Sequence, residues 1–302
     1  MTQHSWPAVA LARACGGPPR VPFLLLEERG PVLGSVAIRH LPALREWPDA
    51  FQQIDDRGGA PRALVLRLPA PVRDARLAQV HARLREDGLV VAWRDEPYPL
   101  RDRQGGEHGV IERAASRFWG TLTLGGHCNG YVAGSSGRPT HLWIARRSLA
   151  KAVDPGRLDN VIGCGVALGQ TPREAVVREG WEEAGLVPAQ MAGLAEGGLI
   201  DLECDIPEGR QHERLHVFDL RFDEGLVPRN IDGEVAEHRL MTVAEALART
   251  AAGELTTDAA LATLDFAVRH RLIEPIAPGR EPTGAIAHWP AAQAAAFEAL
   301  RP

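Results

Sequence analysis

The stretch Thr171 to Leu186, TPREAVVREGWEEAGL, constrains this chain more than any other. It reads as one short helix with both ends marked. Thr171 is a good N-cap, Pro172 suits the first helical position, and Glu174 completes a capping box. Gly185 is the expected left-handed stop. Ala175, Val176, Trp181 and Ala184 supply an apolar face. Glu179, Glu182 and Glu183 then gather on one side near the C-terminal end. Glu179 and Glu183 are like charges at i,i+4, and acids at a helix C-terminus oppose the macrodipole, each effect costing roughly 0.3–1 kcal/mol. A divalent cation removes both objections. Mg2+ prefers oxygen ligands and is usually held by a few carboxylates together with substrate phosphates. A solvated acidic face is the plainer alternative, but the caps, the loop glycines and the spacing all agree with a cation site.

The order Arg178-Glu179-x-x-Glu182-Glu183-x-Gly185-Leu186 resembles the Nudix box, G-x5-E-x7-R-E-U-x-E-E-x-G-U, where U is a bulky aliphatic residue. Six of its nine fixed positions match, and the departures are Cys164, Gln170 and Gly180. The resemblance implies an α+β fold arranged as an α-β-α sandwich, with a strand–loop–helix–loop metal motif on a mixed sheet. It also implies Mg2+- or Mn2+-dependent hydrolysis of a diphosphate linked to another moiety. Glu179, Glu182 and Glu183 would be the metal-binding and base-supplying carboxylates. Arg178 would orient a glutamate, and Gly163 would offer its backbone carbonyl to the metal. Gln170 brings no negative charge, so the box is one carboxylate short, but the central triplet is whole.

The flanks narrow the resemblance. Upstream stand His127-x-Asn129-Gly130-Tyr131, then Leu142-Trp143-Ile144-Ala145-Arg146-Arg147-Ser148, Lys151, and Pro155-Gly156-x-Leu158-Asp159-Asn160. Downstream come Asp232-Gly233-Glu234-Val235 and Asp265-Phe266 with Arg269-His270, and near the start Trp93-Arg94-x-Glu96-x-Tyr98. This string is similar to a long Nudix subfamily with a DUF4743 N-terminal domain, related to proteins associated with thiamine pyrophosphokinase. That resemblance spans roughly residues 20–275. It implies a substrate such as oxo- or oxy-thiamine diphosphate, released as the monophosphate. An ADP-ribose-type substrate and a weakly active Nudix-like binding protein stay open, because specificity lies in loops the box does not encode. An isopentenyl-diphosphate-isomerase-like activity is disfavoured: Cys164 is one position from where a catalytic cysteine would align, and Gly165 stands where a metal-binding histidine would be needed.

Substrate contacts are expected from His127, Asn129, Arg146, Arg147, Lys151, Asp159 and Asn160. Each has a plainer reading as a turn, strand end or solvated charge. Arg146 or Arg147 beside a metal-diphosphate site suits a phosphate contact. Lys151, the one lysine among 34 basic residues, falls inside the signature string. A further carboxylate is expected from a later strand or loop, with Glu213 first, Glu234 second and Glu237 also in view.

The rest of the chain bounds these readings. A length of 302 residues suggests two domains, divided as 1–118 and 119–302. The net charge of −5, with no basic run, argues against a nucleic-acid partner. No apolar run approaches the ~18 residues of a membrane span, and no signal peptide is recognisable, so a cytoplasmic protein is expected. Four scattered cysteines argue for free thiols. The first unit reads as α+β, with a hairpin around residues 27–30, a strand at 63–68, a helix at 72–87 and a strand at 89–93. Its role is open: pocket wall, support for a homodimer, or scaffold. Residues 101–109 read as a hinge or loop, 111–120 as a short helix, 256–270 as a core-packing helix and 290–300 as a last helix.

Overall fold

The computed structural model describes residues 6–12, 14–223 and 225–273. The helix expected at 290–300 lies outside them.

A short helix α1 (Pro7–Leu11) precedes the hairpin β1 (Arg20–Leu25) and β2 (Val32–Ala37). A tight turn and α2 (Leu41–Leu44) lead to β3 (Phe51–Asp55) and β4 (Pro61–Leu66). These strands form a four-stranded sheet in the order β2-β1-β4-β3, with β4 parallel to β1. Helix α3 (Ala70–Glu86) buries Leu77, Val80 and Leu84. Val72, which shares their spacing, is exposed, and the buried position beside it goes to Arg73, whose Nε donates to the Leu68 carbonyl at 3.0 Å.

The strand expected at 89–93 does not form. Leu89 and Val90 both donate their N–H groups to the Leu84 carbonyl, closing the end of α3, and Ala92 and Asp95 take left-handed backbone angles. The first two N–H groups of the segment are thereby spent on the helix end rather than on a ladder, and the left-handed turns that follow leave the extended conformation a strand needs. Of the hinge or loop expected at 101–109, residues 102–106 are the loop, a tight turn between β5 (Pro97–Arg101) and β6 (Glu107–Glu112) held by the Asp102 carboxylate accepting from the Gln104 and Gly106 N–H groups. The helix expected at 111–120 shrinks to α4 (Ala115–Trp119).

Trp119 is the centre of the first core. It is fully buried, stacked on Phe23 at 4.6 Å and on Phe51 at 5.4 Å, with Phe118 edge-on. Its indole N–H donates to the buried His81 Nε2 at 2.9 Å, so that ring is a neutral acceptor. Burial pushes His81 down to about 3 from an ordinary value of 6.5. A folded value below the unfolded one means that the contribution is fully present above the unfolded value and is lost as pH falls toward the folded one. The melting temperature should therefore fall from about pH 6.5 downward, and less steeply in His81→Leu. Equal slopes for both proteins would contradict this account.

The second unit supplies seven strands of a nine-stranded mixed sheet, whose other two, β5 and β6, come from the first unit. Its central strand β7 (Leu122–Ala133) merges two runs that read separately in the sequence. Strand β12 (Gly209–Arg221) runs parallel to β7, with β11 (Ala195–Ile206) antiparallel outside it. On the other side of β7 pair β10 (Ile162–Gly165) and β8 (Pro139–Arg147), and β8 carries β9 (Leu158–Asn160) and β13 (Val235–Thr242). Alternation along β7 then sorts two layers. Cys128 belongs to the core under α5 (Pro172–Ala184), together with Ile162, Val176 and Phe218. Leu215 and Val217 pack on the opposite face with α7 (Thr257–Arg269), and α6 (Val243–Ala251) joins that layer. This is the α-β-α sandwich that the sequence implied.

The two units touch closely. The first core runs from Val21 to Trp119, yet Arg101 of β5 pairs with Leu122 of β7. Glu203 on β11 takes Arg103 at 2.6 Å and Arg210 at 3.2 Å. We propose the 118/119 division as a boundary between two cores joined by one hydrogen-bonded sheet, with Trp119, the first residue past it, still packed in the first core.

Candidate functional site

Helix α5 forms as its sequence dictates. Thr171 Oγ1 accepts the Glu174 N–H, the Glu174 carboxylate accepts the Thr171 N–H, and Gly185 takes φ +65. One expected core residue differs: Trp181 is about half exposed, and the buried position falls to Gly180. A Cβ at Gly180 would overlap the Met191 side chain and come within 3.3 Å of Ile162. The missing aliphatic side chain of the box is thus replaced by Met191 arriving from the following loop. Cys164, where the box has glycine, turns its thiol toward the Gly126 carbonyl at 3.5 Å, and burial pushes that thiol well up. Gln170 leaves its side-chain oxygen buried without a partner among the described residues.

The acidic end of α5 is built by charge pairing. Arg178 donates to Glu179 at 2.7 Å and to Glu182 at 2.6 Å, spanning both carboxylates. Burial raises Glu179, with Arg178 pulling the other way and Glu182 adding to the rise. Glu183 is 5 % exposed; one oxygen accepts the Gly163 N–H at 3.0 Å and the other lies 3.5 Å from Lys151 Nζ. Burial pushes Glu183 up to about 8, against the opposing pull of Lys151 and the Gly163 N–H.

A residue that sequence reasoning passed over completes the group. The last carbonyls of α5 need partners outside the helix. Loop 229–232 supplies them: Arg229 N–H to Ala184, and Ile231 and Asp232 N–H to Glu182. That docking places Asp232 so that one oxygen each from Glu179, Glu182 and Asp232 lie within 4.8 Å of one another. Three convergent carboxylate oxygens suit a hard divalent cation such as Mg2+ or Mn2+. The only sequence signal was the Asp232-Gly233 turn beside Glu234.

The other expected residues divide by position. Glu234 pairs with Lys151 at very short range, so the lysine stands between Glu183 and Glu234. Arg147 donates to Asp159 at 2.9 Å and to the Val153 carbonyl. His127 Nδ1 meets Asn160 at 2.9 Å, and Asp159 lies 3.8 Å away. Asn129 and Asn160 are each 2 % exposed, and their amides are spent on each other, on Thr263 and on the Ala262 carbonyl. They are placed to hold His127 rather than to touch a ligand. Arg146 faces Glu237 and the Gly156 carbonyl, away from its neighbour's partners. Glu213 is not brought to the Glu179–Glu182–Asp232 group; it faces Gln211 and Asp258 instead.

A cavity of about 420 Å3 joins these parts. His127, Arg147, Lys151, Asp159, Gly163 and Glu234 line it, and two of these, Gly163 and Lys151, contact Glu183 at the end of α5. The first unit supplies another wall with Arg94, Tyr98, Arg113 and Arg117, none of which the sequence reading placed at a site. The first unit is therefore pocket wall as well as scaffold.

An acidic helix with this charge pairing, set on one face of a mixed sheet, suits the hydrolysis of diphosphate bonds, and its relatives show that the chain belongs to the Nudix family of hydrolases of such bonds. A model of the NUDIX domain matches residues 130–260. Nudix hydrolase 24, chloroplastic, of Arabidopsis thaliana is 32% identical over 266 residues, 86% of this chain and 70% of that protein. Nudix hydrolase 20, chloroplastic, of the same plant is 31% identical over 268 residues, with the same coverage. Among solved structures, DR0079 from Deinococcus radiodurans is 25% identical with a TM-score of 0.44, covering 57% of this chain and 99% of that one. No helix among the described residues is long and apolar enough to cross a membrane.

Proposed function

We propose that this chain is a Mg2+- or Mn2+-dependent hydrolase releasing the monophosphate from a small organic diphosphate, with oxo- and oxy-thiamine diphosphate as its leading substrates. The carrying observation is the convergence of Glu179, Glu182 and Asp232 beside a cavity that also holds Arg147 and Lys151. The thiamine reading rests on the subfamily resemblance of the strings at residues 93–98, 127–131 and 142–160.

Glu179, Glu182 and Asp232 would hold the divalent ion, with Arg178 fixing the two glutamates. When bound, such an ion neutralises phosphate charge and acidifies a water. Glu183, buried and with a raised affinity for protons, would take the proton from the attacking water, and the Gly163 N–H holds it in place. Arg147, Arg113 and Arg94 present guanidiniums suited to phosphate oxygens. Arg94 makes no side-chain hydrogen bond or ion pair among the described residues, and its charge stands near those of Arg113 and Arg147. Three like charges that are only partly paired favour an incoming anion.

The test is a hydrolysis screen at about pH 8–9, with and without Mg2+. It takes thiamine diphosphate, its oxo and oxy forms, ADP-ribose, CoA and dinucleoside polyphosphates. Metal-dependent monophosphate release from the thiamine forms is expected. Release from the nucleotides alone would remove the thiamine reading.

A further inference from the structure

Away from the metal group, the cavity holds two carboxyl side chains that the hydrolytic site does not use. Gln211 Nε2 donates to Glu213 Oε2 at 2.8 Å and reaches both oxygens of Asp258 at 3.3 and 3.4 Å. One amide thus clamps two acids side by side. Glu213 is 8 % exposed, and Arg117 is its nearest cation, at 4.0 Å, beyond hydrogen-bond range. The pair therefore carries more acceptor capacity than the protein fills.

The backbone is cleared for these groups. Gly125 on β7 stands opposite Gly165 on β10. A Cβ at Gly125 would come within 2.5 Å of Glu213 Oε1, and one at Gly165 would overlap the Tyr98 hydroxyl. Tyr98 is 2 % exposed, lines the same cavity, and its hydroxyl has no hydrogen-bond partner among the described residues. A buried hydroxyl without a partner is costly, and a ligand group that bonds it recovers that cost. The Asp258 carboxyl is also held up by burial and by the charge of Glu213, so the pair favours taking up a proton or a donor.

Strand register sets the scale. The Glu213 carboxylate reaches the Gly125 position, and Gly163 lies level with His127, two residues further along β7, or about 7 Å at strand rise. That span suits one small organic diphosphate with its phosphates at the α5 end.

We propose that Glu213, Asp258 and Tyr98 form a recognition subsite for a hydrogen-bond-donating nitrogen group, an amine or amino-heterocycle, on the organic part of the diphosphate. The inference rests on the hydrolase reading for its orientation, and it selects amine-bearing substrates over apolar ones of the same shape.

The test uses two probes, 2-phenylethyl diphosphate and the same molecule with an aminomethyl group on the ring. The ratio of their kcat/KM values in wild type should favour the amine by about tenfold or more. In Glu213→Gln and in Asp258→Asn the ratio should fall toward one, and Tyr98→Phe should lower it. The corresponding monophosphates, titrated calorimetrically without metal, give a second reading of the same preference. A wild-type ratio near one in both measurements overturns the subsite. So does a ratio that stays high while both variants lower the two probes equally, since Glu213 then acts at the phosphate end. If neither diphosphate is hydrolysed but the monophosphates keep the amine preference, the subsite stands and the hydrolase reading is what fails. Thermal melts establish that the variants fold, and Asp258→Asn alone carries the test if Glu213→Gln does not.

Discussion

Replacing Glu182 or Glu183 by glutamine should lower metal-dependent hydrolysis at least about 100-fold, ~2.7 kcal/mol of transition-state stabilisation. Glutamine keeps the shape of each side chain and leaves an acceptor for the Gly163 N–H, so the change isolates charge. At Glu182 the loss removes one of three convergent oxygens and the anchor of Arg178. At Glu183 it removes the buried acid whose proton affinity suits a base. Asp232→Asn is the companion, raising the Mn2+ concentration for half-maximal rate by about tenfold. Steady-state rates against Mg2+ and Mn2+ separate the cases. Wild-type turnover in Glu182→Gln or Glu183→Gln would falsify the site assignment, and unchanged Mn2+ dependence in Asp232→Asn would remove that residue from it.

The largest loss of stability should come from Trp119→Ala. Deleting a fully buried indole costs about 3–5 kcal/mol, a large fraction of the ~5–15 kcal/mol that folded domains have. Trp119 stacks on Phe23 and Phe51 and supports α4, which leads directly into β7. Trp119→Phe keeps most of the packing but leaves His81 Nε2 without its donor, a loss of about 1–3 kcal/mol. Urea denaturation followed by fluorescence and by far-ultraviolet dichroism measures both. Trp119→Ala costing no more than Trp119→Phe would mean that the hydrogen bond, rather than ring packing, governs this core.

The helix at 171–186 was legible because its signals are local. A cap, a stop glycine and three acids act over one or two turns and need no distant partner. The β1–β2 hairpin and α7 were readable for the same reason. The strand expected at 89–93 failed because apolar residues after a helix can close its end instead of joining a sheet. Spacing points Trp181 into the core, but the buried position falls to Gly180, where Met191 fills the space a side chain would take, and no pattern in α5 announces it.

What the sequence by itself determined is the acidic helix, the order of the strands' apolar runs and the family they point to. Only the tertiary structure decided what meets that helix. Loop 229–232 docks on the open carbonyls of α5 and carries Asp232 to Glu179 and Glu182. The sequence points first to Glu213 for that place, but its carboxylate is turned to Gly125 and held beside Asp258 by Gln211. The walls from Tyr98, Arg113 and Arg117 likewise come from sheet pairing and packing between two units. Backbone hydrogen bonds and register are long-range choices, and they place side chains that are far apart in sequence within a few ångströms of one another.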